Sequence, residues 1–275
     1  MLKRIITGIF ISFIIFLALF FLNKFLFSVF SGLILLIAAW EWLSFSSQNK
    51  FFSKLILLIL MLIFMLGLGF YFFNHSHIAL IKFILSLGVI AWILAILLIL
   101  LPMRYSQFLK NRIYLNLSSF LFLIPAWLAF IVLFQAGHPW ALIYLILITA
   151  LADTGAYFSG KFLGKHKMAP EISPKKTLEG ALGGILLASF VSAGFFELVG
   201  NKLSADFFQI LLISIGLVFI SIFGDLFESL LKRQHGIKDS GVILPGHGGV
   251  LDRIDSLIAV LPIYALIESM GHFFN

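Results

Sequence analysis

Long apolar runs, each bounded by a charge, a glycine or a proline, set the pattern of this chain. Runs of roughly 18–25 residues match a helix that crosses the hydrocarbon of a bilayer. They fall near 4–22, 25–45, 54–73, 78–101, 115–135, 139–158, 181–200, 207–231 and 252–272. The pattern predicts an all-α, polytopic integral membrane protein with nine transmembrane helices. The narrowest division is the first, where only Asn23 and Lys24 intervene. The first run follows Met1-Leu2-Lys3-Arg4, as in a secretory signal, but it is long enough to span and no small-residue cleavage pattern follows. It is expected to be retained.

Composition strengthens this picture. Of 275 residues, 61% are hydrophobic and 11% charged, with a mean hydropathy of +1.12. No soluble core needs so much apolar surface, so lipid must be the solvent. The chain has no cysteine, which excludes disulfides and any thiolate nucleophile or metal ligand.

The net charge of +7 is unevenly placed. If the runs alternate across a membrane, sixteen of the nineteen Lys and Arg fall on one side, and only Lys24, Lys82 and Lys202 on the other. The positive-inside rule then puts the N-terminus in the cytoplasm and Phe273-Phe274-Asn275 outside. Acidic residues are also skewed, since Glu41 is the sole one before Asp153. Residues 1–140 therefore read as a transmembrane scaffold. Residues 141–275 read as a catalytic transmembrane region with cytoplasmic loops at 159–180 and 232–251. No internal repeat and no DNA-reading motif is evident, and nucleic acid is not an expected partner.

Three polar groupings interrupt the apolar pattern. Asp153, Tyr157 and Gly160 share a helix face, and a carboxylate at a membrane boundary is expensive enough to suggest function. Local pairing with Lys161 or Lys165 is the plainer alternative. Next, Pro170 and Pro174 flank a stiff turn. Ser173 is a plausible N-cap, with Pro174 at the first helical position and Lys176 at the third. Helix-start amides with Lys175 and Lys176 would suit a polyphosphate, or simply lipid headgroups. Beyond them, Gly180, Gly184 and Ala188 form a packing face, within the chain or in a homodimer.

The densest grouping runs from Ser229 to Asp255. Asp225, Ser229 and Lys232 lie on one helical face, with Glu228 one step round. Gly236, Gly241, Gly246, Gly248 and Gly249 permit positive φ, and amides around Pro245-Gly246-His247-Gly248-Gly249 could form an anion nest. Asp252, Asp255 and Ser256 open the next helix. Hard carboxylates on two helix ends can hold Mg²⁺ beside substrate phosphate.

This stretch resembles the phosphatidate cytidylyltransferase family. The resemblance rests on Ser229, Lys232-Arg233, Lys238-Asp239, Gly241, Pro245, His247-Gly248-Gly249, Asp252-Arg253 and Asp255. Asp153-Thr154-Gly155-Ala156-Tyr157 and Ser173–Gly180 look like the family's upstream blocks. The resemblance covers roughly 150–256. It implies Mg²⁺-dependent transfer of CMP from CTP to phosphatidate, giving CDP-diacylglycerol and pyrophosphate. A short chain without targeting extensions is expected in a bacterial inner membrane, and the charge asymmetry puts the site on the cytoplasmic face. Under the resemblance, Asp225, Asp252 and Asp255 are the expected ligands for one or two cations, and with Lys232 and Arg233 the expected catalytic residues. Lys175, Lys176, Thr177, Ser229, Lys238, Asp239, His247, Gly248, Gly249, Arg253 and Asp153 are expected to bind CTP or inner-leaflet phosphatidate. Two alternatives stand beside this reading. One is another CTP-dependent lipid kinase or nucleotidyltransferase. The other is an ion-coupled transporter, which would place polar groups near the midplane in two symmetric halves.

Overall fold

Residues 2–74, 78–135, 139–199 and 206–271 are described by a computed structural model. Every predicted apolar run is helical: α1 (Leu2–Phe21), α2 (Lys24–Ser44), α3 (Phe51–Asn74), α4 (Ile78–Leu100), α5 (Arg112–Gln135), α6 (Pro139–Leu163), α7 (Leu178–Val199), α8 (Phe207–Gln234) and α9 (Leu251–Gly271). Among the described residues, seven of these, α2 to α8, are long and apolar enough to cross a membrane. The apolar described part of α1, Ile6–Phe21, is shorter, and α9 opens with Asp252, Arg253 and Asp255. The predicted sides of the two termini rest on Met1 and residues 272–275, which lie outside the described residues, as does Lys202.

Local chemistry explains the breaks. Asn23 separates α1 from α2 by capping α2, its side chain accepting from the Leu26 amide at 2.8 Å. Asp206 and Gln209 form a reciprocal capping box at the start of α8, which satisfies two amides that would otherwise lack partners. Large apolar side chains such as Phe70, Leu94, Leu117 and Phe190 are exposed, as expected of a surface that meets lipid.

Aromatic rings join helices that are distant in the sequence. Phe122 of α5 lies 4.6 Å from Trp92 of α4, 4.9 Å from Phe227 of α8 and 5.8 Å from Trp42 of α2, centroid to centroid. Glycines set the other crossings. A Cβ at Gly155 of α6 would lie 2.6 Å from the Gly183 carbonyl oxygen of α7. One at Gly180 or Gly184 would meet the carbonyls of Ala156 or Ala152. The small-residue face of α7, including the fully buried Ala188, is thus covered within the chain by α6. It does not present a surface to a second copy.

At Gly224, α8 crosses α9 so closely that a Cβ would lie 2.8 Å from the Ala259 Cβ and 3.0 Å from the Asp255 carbonyl oxygen. Ser256 Oγ donates to the Ser221 carbonyl nearby, at 3.1 Å. This crossing brings the carboxylates of the two helices together. Gly224→Val should overpack it by about 1–3 kcal/mol, lowering the melting midpoint in detergent by roughly 2–10 °C. An unchanged midpoint would mean that the helices need not sit this close.

Two short elements were not anticipated. Met103–Lys110 is a 3₁₀ helix. Lys167–Ala169 (β1) and Ser173–Thr177 (β2) form an antiparallel hairpin. The predicted N-cap at Ser173 is therefore incorrect. A residue before proline favours extended backbone, and the strand continues to Thr177, which pairs with Lys167. Thr177 is the cap, its Oγ1 accepting from the Gly180 amide at 3.1 Å. Glu179 fastens the hairpin base by accepting from the Lys165 amide at 3.0 Å and pairing with His166 Nδ1 at 2.6 Å.

Candidate active site

The last turns of α8 carry Asp225, Glu228, Ser229 and Lys232 along one side. The first turns of α9 carry Asp252 and Asp255, α6 contributes Asp153, and β2 contributes Lys176. The Lys232 ammonium lies between two carboxylates, 2.9 Å from Glu228 Oε2 and 2.7 Å from Asp252 Oδ1. Its side chain is 12% exposed, and those of Glu228 and Asp252 are 3% and 10% exposed. Buried ions of this kind hold only when each charge is matched.

Asp252 is the hinge of the loop before α9. Its Oδ2 accepts from the amides of Ser240 at 3.0 Å and Gly249 at 2.9 Å. Gly236, Gly246 and Gly248 have positive φ, as the glycine-rich sequence predicts. Gly248 also leaves room for Asp252, because a Cβ there would lie 2.7 Å from Oδ2. Gly241 and Gly249 do not have positive φ. They make space for a carboxylate from outside the loop, that of Glu41.

The anticipated anion nest is not open at two of its amides. His247 N donates to the Leu244 carbonyl at 2.9 Å, and Gly249 N is held by Asp252. Among the described residues, His247 Nδ1 is buried without a hydrogen-bond partner. Arg253 Nε donates to the His247 carbonyl at 3.2 Å. Lys238 and Asp239 lie exposed on the loop.

The extended backbone of β2 separates the two adjacent lysines. Lys176 turns inward, 2.8 Å from Asp225 Oδ2 and 3.0 Å from the Ile222 carbonyl oxygen. Lys175 is exposed. Ser229 Oγ donates to the other Asp225 oxygen at 3.3 Å. Arg233, expected to be catalytic, donates from Nε to the Ile172 carbonyl at 3.2 Å and so pins the hairpin. Its neighbour Gln234 donates to the Met103 carbonyl at 3.0 Å.

Beside these pairs lies a group of acids with less compensation. Asp225, Glu228 and Asp153 all act electrostatically on Asp255. Glu228 Oε1 is buried and, among the described residues, has no hydrogen-bond donor. Lys176 and Arg253 act on Asp153 from the basic side. Hard oxygen donors and an orphaned carboxylate oxygen suit a divalent cation of the Mg²⁺ type. Among the described residues, however, no three His, Asp or Glu side chains meet closely enough to hold an ion alone. The expected set of Asp225, Asp252 and Asp255 is thus not gathered into one cage, because Asp252 is committed to Lys232 and the loop amides.

Of these acids, Asp153 and Asp255 open into a cavity of about 410 Å³. Its walls are apolar, with Ile11 and Ile15 of α1, Ile34 of α2 and Ile146 of α6. Asp153, Asp252, Arg253 and Asp255 line its polar part. Such a space suits an amphiphile whose charged end meets the carboxylates and cations.

Sequence reasoning had placed Glu41 in the scaffold, yet it reaches this loop. A lone carboxylate inside an apolar run was the available signal. Glu228 was seen only as a neighbour of the motif, although it holds Lys232.

Residues 2–270 match a family model described as the cytidylyltransferase family. The chain is 37% identical to a phosphatidate cytidylyltransferase of Pseudomonas aeruginosa over 266 residues, covering 96% of each protein. It is 34% identical to that of Haemophilus influenzae, covering 96% of each. It is 35% identical to that of Bacillus subtilis, covering 96% of this chain and 97% of the relative.

Proposed function

The chain belongs to the cytidylyltransferase family, and from that premise we infer that it transfers CMP from CTP to phosphatidate, yielding CDP-diacylglycerol and pyrophosphate for phospholipid synthesis. The observation that carries this reading is the cavity, with apolar walls for a lipid and Asp153, Asp252, Arg253 and Asp255 where a phosphate headgroup would arrive. In the reaction, an ionised phosphatidate oxygen attacks the α-phosphorus of CTP. The bond to the bridging oxygen breaks and pyrophosphate leaves. No proton need be removed from the nucleophile. The protein's task is to bring two anions together in line and to offset their charge.

The residues divide that task. Lys176 and Arg253 face the acidic group from the basic side and neutralise phosphate oxygens. Lys175 and Lys238, both exposed, meet the triphosphate from the water phase. Lys232 holds Glu228 and Asp252 in register, and Arg233 fixes the hairpin that presents Lys176. Thr177 sets the end of that hairpin, Ser229 orients Asp225, and His247 to Gly249 shape the rim with Asp239.

Mg²⁺ fits as a partner of Asp225 and Asp255, with Asp153 beside them, provided that substrate phosphate and water complete its coordination. When bound, it would neutralise charge on the phosphates and on the leaving pyrophosphate. We place the protein in a bacterial inner membrane with all nine helices crossing and the site on the cytoplasmic side, where CTP is available. The excess of Lys and Arg on the site's side supports this orientation. A homodimer is not required, since the α7 glycine face is already filled by α6.

The test is direct. Purified protein in mixed micelles with phosphatidate, labelled CTP and Mg²⁺ should form CDP-diacylglycerol and pyrophosphate in equal amounts. Excess EDTA should remove at least about 99% of the rate, with recovery when Mg²⁺ is restored. No product above an Asp252→Asn control would sink the assignment. Undiminished activity in EDTA would remove the cation.

A further inference from the structure

A carboxylate inside an apolar segment keeps its place only when donors surround it. Glu41 of α2 is 2% exposed and is the sole acidic residue in the first 152. Its donors come from the far end of the chain. Oε1 accepts from the Val250 amide at 3.0 Å. Oε2 accepts from the Leu251 amide at 2.8 Å and from Ser240 Oγ at 3.1 Å.

These contacts lead to Asp252 by two routes. Val250 and Leu251 carry amides at the start of α9, which have no partner within their own helix. A negative charge there also meets the positive end of the helix. Ser240 bonds Asp252 twice: its amide donates to Asp252 Oδ2 at 3.0 Å, and its hydroxyl accepts from the Asp252 amide at 3.3 Å. The loop is shaped around the foreign carboxylate, since a Cβ at either Gly241 or Gly249 would run into it. Glu41 itself does not line the cavity, so it acts through Ser240 and the α9 start.

We propose that Glu41 is a positioning residue for cytidylyl transfer. From the scaffold half it clamps the glycine loop and the α9 N-terminus, and so fixes Asp252 against Lys232. The inference rests on the activity proposed above.

Glu41→Gln keeps the size but turns an amide NH₂ toward groups that are themselves donors. The folded variant should keep KM for CTP and phosphatidate within about twofold while kcat falls about 10²-fold, the scale of a small misplacement at the reacting centre. Amide exchange in residues 240–252, followed without substrates, should speed up about tenfold or more. Ser240→Ala should lower kcat in the same direction by about tenfold, and the double variant should be no worse than Glu41→Gln alone, because both remove one linkage. If the folded Glu41→Gln protein has wild-type kcat, if exchange in 240–252 is unchanged, or if the two losses multiply, the proposal is overturned. Should Glu41→Gln not fold, Ser240→Ala decides: wild-type kcat and exchange overturn the proposal, and a slower, looser protein supports it. Because exchange is read without substrates, a wrong substrate assignment would leave that result standing.

Discussion

Lys232→Met will leave less than about one-hundredth of wild-type turnover. The ammonium lies 2.9 Å from Glu228 and 2.7 Å from Asp252, in a place that admits little water. Methionine fills similar volume but leaves two buried carboxylates facing each other. Breaking such a pair costs about 3–5 kcal/mol, and each 1.36 kcal/mol on a barrier is tenfold in rate. The protein has two ways to respond. It can protonate one acid, or it can let Asp252 swing away and release the amides of Ser240 and Gly249. Either response removes the electrostatics or the loop geometry on which transfer depends. Arginine should not rescue, because a planar fork cannot reproduce a point charge held between two acids. Rates per folded protein, with folding judged by monodispersity in detergent, provide the measurement. Activity within tenfold of wild type would show that the Lys232 bridge is not part of the machinery.

Asp225→Asn should reduce kcat by about 10³-fold, the scale of losing a fixed charge at a phosphoryl centre. Two roles compete for this residue. It neutralises Lys176 at 2.8 Å, and it belongs to the acids acting on Asp255. The double variant Asp225→Asn/Lys176→Met separates them. If Asp225 served only to balance Lys176, removing both charges would restore most of the activity. If Asp225 holds a cation, the double variant should stay as slow as the single one, and the Mg²⁺ concentration for half-maximal rate should rise in Asp225→Asn. Restoration in the double variant would withdraw Asp225 from the proposed metal site.

The helices were legible because lipid makes a simple demand. With no water to satisfy backbone groups, an apolar run must bond within itself. Hence Asn23 and Lys24, two polar residues in an apolar field, sufficed to divide α1 from α2. The hairpin at 167–177 was not legible by the same logic. Pro174 is compatible with a helix start as well as with a strand, and only pairing with Lys167–Ala169 decided between them. That difference sends Lys175 and Lys176 in opposite directions, so that Lys176 alone of the two reaches Asp225.

The site was legible as a set of residue types and much less so as a set of partners. The spacing of Asp225, Ser229 and Lys232 along one helix is fixed by the chain, and it survives in the structure. The choice of Asp252 as the partner of Lys232, and of Lys176 as the partner of Asp225, is not. It depends on Gly224, which lets α8 and α9 meet, and on a hairpin that reaches back to α8. Glu41 shows the same limit most clearly. Its sequence neighbours are apolar, and its donors lie 199 to 210 residues away.

By itself, then, the sequence determined a helical membrane protein, a charged, glycine-rich stretch joining α8 to α9 and the family to which the chain belongs. These follow from local hydrophobicity and from residues fixed at short spacing. Only the tertiary structure decided which charges neutralise each other, which acids remain under-compensated beside the cavity, and that Glu41 of α2 closes the loop. Charge pairing depends on distances through space, and helix packing sets those distances.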